Sequence, residues 1–99
     1  MISYLKNENL EDLIGSKKVV VDFYADWCMP CSMLGDIMEE VVEEEPNLNI
    51  LKVNVDEHAD IAKKFGVMSI PLVLLYKDGK IEKKHVGLME KDEFKDFIK

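Results

Sequence analysis

Apolar and polar positions follow a different rule in each successive stretch of the chain, and each rule predicts an element. Within Lys18–Tyr24 the run VVVDFY is apolar except for Asp22, the pattern of a strand covered on both faces and therefore central in its sheet. From Cys31 onward Met33, Leu34, Ile37, Met38, Val41 and Val42 recur at helical spacing, with Glu39, Glu40, Glu43 and Glu44 opposite. That is the longest helix, ending before Pro46, with the acidic run Glu39–Glu45 as its solvated face. Asn49–Val55 alternates as a strand does, and Ala59–Phe65 makes a short helix stopped by Gly66. Upstream, Ile2–Leu5 forms a short strand and Asn9–Ile14 a short helix, capped by Asn7 or Asn9 and ending near Gly15. Downstream, Leu72–Tyr76 and Ile81–Val86 are strands joined at Asp78-Gly79, residues that accept the positive φ of a tight hairpin. Phe94, Phe97 and Ile98 then share one face of a terminal helix. The order βαβαβαββα predicts an α/β fold: a central mixed sheet flanked by helices on both faces.

A chain of 99 residues supports one domain, 1–99, with a single core. Its 47% hydrophobic and 33% charged residues exclude a disordered or low-complexity chain. A formal charge of −7 excludes nucleic acid as a partner, since phosphate binding depends on excess lysine and arginine. MISYLKNENLEDL has no basic start followed by an apolar core, and no apolar run is long enough to span a bilayer. A cytoplasmic protein with no membrane partner is expected, and with no assembly motif, a monomer. In that reducing compartment the two cysteines are expected to act chemically rather than as a structural bridge.

Both cysteines stand in one turn, Cys28-Met29-Pro30-Cys31, where the central strand gives way to the long helix. Cysteines three apart fall within one helical turn, close enough to form a disulfide. Free backbone N–H groups and the positive end of the helix dipole favour a thiolate on the earlier one. Cys28 is therefore the candidate nucleophile and Cys31 the resolving thiol. A zinc site is the alternative use of such a pair. It requires about four ligands, and only His58 and His85, both read as exposed surface residues, remain to complete it. Pro30 suits the first helical turn, where its missing N–H has no partner to lose. Taken alone, Asp22 is a solvent-facing or hydrogen-bonded strand residue, Lys52 a strand lysine with its head in water, Pro71 a trans proline opening a strand, and Trp27 a core aromatic.

The element order, together with VDFYADWCMPC (Val21–Cys31), KVNVDE (Lys52–Glu57), SIP (Ser69–Pro71) and YKDGK (Tyr76–Lys80), resembles the thioredoxin family along essentially the whole chain. The resemblance implies a thioredoxin-like fold and a protein-disulfide reductase working through Cys28 and Cys31. It implies that Asp22 lies beneath the cysteines, with a pKa raised by burial, and exchanges a proton with Cys31, and that Lys52 lies near that aspartate. It also implies a cis Pro71 facing the cysteines, with the Ile70 backbone pairing with an extended substrate. An apolar docking patch of Trp27, Met29, Pro30, Ile70, Pro71, Gly87 and Leu88 would surround them. The implied partners are disulfide-containing proteins and a flavin-dependent or ferredoxin-dependent thioredoxin reductase, with no bound cofactor and no metal. Met29 stands where the family most often has glycine, Tyr24 where tryptophan is common, Ser32 where a basic residue is frequent, and Gly35-Asp36 where many members kink the helix with proline. Other readings are a shuttle serving one partner, a more oxidising disulfide exchanger, and a binding module whose cysteines are incidental.

Overall fold

Strands β1 (Ile2–Tyr4), β2 (Val19–Tyr24), β3 (Ile50–Asn54), β4 (Leu72–Lys77) and β5 (Lys80–Val86) form one sheet in the computed structural model, which describes residues Met1–Lys99. Their order across the sheet is β1-β3-β2-β4-β5, so the run VVVDFY does occupy the middle. β1 and β2 run parallel to β3 on either side of it, whereas β4 is antiparallel to both β2 and β5. Helices α1 (Leu10–Ile14), α2 (Met29–Glu44), α3 (Ala59–Lys64) and α4 (Lys91–Phe97) complete the α/β architecture.

The continuous apolarity of β2 follows from cover on two sides. Val19, Val21 and Phe23 pack with Leu10 and Ile14 of α1, against Ile61 of α3 and the adjoining Phe65. Val20 points the other way, among Leu34, Met38 and Val41 of α2 and Phe94 and Ile98 at the chain's end. Strand residues alternate between faces, so Asp22 shares Val20's side and lies under α2. The parallel register sets Lys52 beside Asp22 from β3, and Tyr4 beside Lys52 from β1. Three polar or aromatic side chains thus stand in one row across the sheet.

Element ends fall within a residue or two of expectation. Asn9, not Asn7, caps α1: its side chain accepts the Asp12 N–H at 3.0 Å. α2 starts at Met29, two residues before Cys31, because Cys28 itself takes the extended N-cap conformation, and it ends at Glu44 before Pro46. The hairpin turns on Asp78 (φ 53°) and Gly79 (φ 77°). A Cβ at Gly79 would also stand 3.1 Å from the Gly15 carbonyl, so this turn demands glycine twice over. The sheet's two edges differ: β1 is three residues long, whereas the seven residues of β5 carry Lys80, Lys83 and Lys84.

Two expectations about histidine side chains are corrected. His58 is half-buried rather than exposed, because the β3–α3 junction brings its Nε2 to 3.0 Å from the Leu5 carbonyl at the end of β1. His85 is half-buried as well, paired with Val73 on β4 and edge-on to Phe97 with ring centroids 6.4 Å apart. The acidic face of α2 is exposed as expected, and from it Glu40 and Glu44 pair with Lys91, and Glu44 also with Lys95, tying α4 to α2. Such exposed pairs orient the helices more than they stabilise them. No helix is long and apolar enough to cross a membrane.

Candidate active site

The turn between β2 and α2 is held by the Cys28 N–H donating to the Ala25 carbonyl at 3.2 Å. Cys28 then caps the helix: its sulfur accepts the Cys31 N–H at 3.3 Å. In a dithiol that same N–H points at the sulfur where negative charge would settle, as a helix N-terminus favours. Cys28 and Cys31 are joined as a disulfide with their α-carbons 5.2 Å apart, within the usual span of about 4.4–6.8 Å. Cys31 lies deeper, on the buried side of α2. The Ile70 carbonyl oxygen is 3.9 Å from the Cys28 sulfur, and the Ile70–Pro71 peptide is cis.

Asp22 is fully buried, and neither of its carboxylate oxygens has a hydrogen-bond partner. Burial pushes its pKa up to about 6, against the opposing pull of the Lys52 ammonium. Lys52 Nζ sits 3.6 Å from Asp22 Oδ2, too far to donate a hydrogen bond but close enough to act as its counter-charge. Lys52's head is not in water. Its ammonium lies 4.6 Å from the centre of the Tyr24 ring and 5.8 Å from that of Tyr4. On the helix side a Cβ at Gly35 would come within 3.2 Å of the same nitrogen, so glycine there leaves room for the ammonium. Lys52, Cys31, Tyr24 and Gly35 all line a cleft of about 240 Å³ between α2 and the β1 edge, which joins the base of the disulfide to solvent.

The residues expected to form a docking patch come together at this end of the sheet. Trp27 and Met29 are 72% and 73% exposed, Pro30 is exposed next to Met29 in the chain, and Leu88 is exposed next to Gly87, whose N–H bonds to the Pro71 carbonyl. Ile70 is half-buried against the cysteines. Pro71 is buried and so backs the patch rather than lining it, while its carbonyl accepts the Gly87 N–H at 2.8 Å. Two contributors escaped the sequence reading. Met68 is 95% exposed two residues before Ile70, and Asp56 Oδ2 accepts the Trp27 indole N–H at 2.8 Å. Met68 has a legible signal, an apolar residue isolated in the loop between Gly66 and Ile70-Pro71; the Trp27–Asp56 contact has none, being made across 29 residues. No group of three or more His, Cys, Asp or Glu side chains is arranged to hold a metal ion.

Comparison with known proteins agrees with this geometry. The chain is 43% identical over 91 residues to a thioredoxin of Mycoplasmoides gallisepticum, an alignment covering 91% of each protein. It is 44% identical over 92 residues to a thioredoxin of Chlamydia muridarum, covering 93% of this chain and 90% of that one. Among solved structures, a mutant thioredoxin from Halobacterium salinarum superposes with a TM-score of 0.87 at 35% identity, over 98% of this chain and 87% of the other. Oxidised mitochondrial thioredoxin 3 of Saccharomyces cerevisiae gives 0.79 at 35% identity, over 89% and 83%. The thioredoxin family model matches residues 1–99, and with a redox-active cysteine pair at its helix N-terminus this chain belongs to the thioredoxin family of disulfide oxidoreductases.

Proposed function

We propose that the protein is a cytoplasmic protein-disulfide reductase in which Cys28 attacks and Cys31 resolves. The observation that carries this reading is the position of the Cys28 sulfur, capping α2 and facing the Ile70 carbonyl while Cys31 lies behind it. In the dithiol form the Cys28 thiolate displaces one sulfur of a substrate disulfide, giving a mixed disulfide and a free substrate thiolate. An extended substrate segment pairs with the Ile70 backbone and packs on Trp27, Met29, Pro30 and Leu88, with Pro71 and Gly87 shaping the loops beneath. Cys31 then gives its proton to the Asp22 carboxylate, largely ionised at neutral pH with a pKa of about 6, and attacks the Cys28 sulfur. The second substrate thiolate leaves, two electrons have passed to the substrate, and the protein is in the disulfide state. Lys52 keeps the Asp22 pKa from rising further. A flavin-dependent or ferredoxin-dependent thioredoxin reductase restores the dithiol.

The test is a pair of variants. Cys28→Ser is expected to abolish disulfide reduction, whereas Cys31→Ser is expected to accumulate a mixed disulfide visible by mass spectrometry. Reduction by Cys28→Ser at the parent rate would overturn the assignment of the nucleophile.

A further inference from the structure

Four segments surround the disulfide: residues 25–36 contain it, 66–71 bring Ile70 to it, 54–60 hold Trp27 through Asp56, and 87–90 bond to Pro71. These segments carry Asp26, Asp36, Asp56, Glu57, Asp60 and Glu90, all exposed, and not one lysine or arginine. None of the six forms an ion pair, although the molecule makes ion pairs elsewhere. Three of the neighbouring cations face other groups, and Lys63 and Lys84 stand exposed outside these segments without an ion pair. Lys52 is buried against Asp22, Lys91 is tied to Glu40 and Glu44, and Lys6 stands beyond β1 in the field of Glu8. Four of these carboxylates are also placed beside the site, Asp56 through its bond to Trp27. Asp26 and Asp36 line the cleft that reaches Cys31, and Asp26 and Glu57 both raise the pKa of Tyr24, adding to the effect of its burial.

We infer that this rim selects the substrate: the protein is built to reduce disulfides held in extended segments flanked by lysine or arginine. The inference rests on the reductase reading and names its substrate class. An apolar centre of Trp27, Met29 and Met68 ringed by unpaired negative charge has the anatomy of a docking surface, a dry core with a charged rim. Since the rim charges lack internal partners, a basic segment gains attraction without breaking an existing pair, and an acidic one meets repulsion from several sides at once. The helix dipole at Cys28 acts only within the first turn and favours the thiolate, so it does not cancel the wider field.

The experiment uses the pre-reduced full-length protein and three disulfide-bonded peptides, identical except for Lys, Gln or Glu on both flanks of the disulfide. The second-order rate of thiol release is measured from low salt to about 1 M, where the screening length falls to about 3 Å. At low salt the Lys peptide is expected to react at least about tenfold faster than the Glu peptide, the lower end of electrostatic steering, and the two rates are expected to converge at high salt. The triple variant Asp26→Asn/Asp36→Asn/Glu57→Gln, altered only at exposed positions, is expected to shrink the Lys-to-Glu ratio several-fold, each rate being read relative to that of the Gln peptide with the same variant. Equal rates for Lys and Glu peptides, or a preference unchanged in the triple variant, would overturn the inference while leaving the reductase reading standing. Failure of all three peptides, the neutral one included, would take both down.

Discussion

Replacing Asp22 by Asn removes one buried charge and leaves the side chain's volume almost unchanged, so its effect on stability separates by pH. In the fold the carboxyl titrates at about 6, against 3.8 for the unperturbed group. Below the lower value both folded and unfolded chains hold the proton, and the charge is absent from both. Between the two values the native state keeps a proton that the unfolded chain has released, so stability falls as pH rises. The gap of about 2 units, at about 1.36 kcal/mol each, amounts to roughly 3 kcal/mol, fully present below the lower value and lost as pH passes through 6. Asn does not titrate and loses nothing. At about pH 4 the variant is therefore expected to match the parent, since a neutral Asp22 also leaves Lys52 without its anion; by about pH 8 it is expected to be more stable by about 3 kcal/mol. Urea unfolding of the disulfide form, followed by circular dichroism across that range, measures the difference directly. Stability curves that stay parallel within about 0.5 kcal/mol would refute the reasoning, because burial would then not have raised Asp22's proton affinity, and the proton-acceptor role proposed for it would lose its physical basis.

Two further outcomes follow from the same coordinates. Lys52→Met removes the cation 3.6 Å from Asp22 and is expected to move that carboxyl's pKa upward from about 6 by a further 1–3 units or so, read from its infrared or NMR titration; an unchanged value would show that the lysine does not act on it. Gly79→Ala forces a side chain onto a residue at φ 77° and against the Gly15 carbonyl, and is expected to cost at least about 1–2 kcal/mol, visible as a fall in Tm of about 4–8 °C per kcal/mol. A Tm equal to the parent's would mean that the hairpin tolerates a different turn.

Where local chemistry dictates structure, the sequence was readable. A run such as VVVDFY has no polar side to offer water, so two-sided cover was legible before any coordinates; Asp78-Gly79 and Cys28-Met29-Pro30-Cys31 announced a turn and a helix start for equally local reasons. The row joining Asp22 to Lys52 was different. It depends on which residue of β3 lies beside which residue of β2 across a long connection, and a shift of one position would have turned Lys52 to the opposite face. Resemblance to a family supplied that row; periodicity did not. His58 was misread for a related reason, since nothing near it in the chain says that the end of β1 will pass within reach of its ring. Exposed side chains around a site, Met68 and Asp56 among them, left the weakest trace because loops obey no period that singles them out.

The edges of the sheet bear on what else the molecule can bind. Laying a foreign strand against one's own backbone, as proposed for Ile70, is also how proteins polymerise, and an open sheet edge offers that invitation to every copy in solution. Here β1 is too short to template much, and β5 meets any approaching β5 with Lys80, Lys83 and Lys84. Two copies aligned edge to edge would bring three lysines from each into one seam, against a single Glu82 from each. The sheet edges thus discourage strand addition, and the loop beside the Cys28 sulfur is left as the place where an extended chain is proposed to pair.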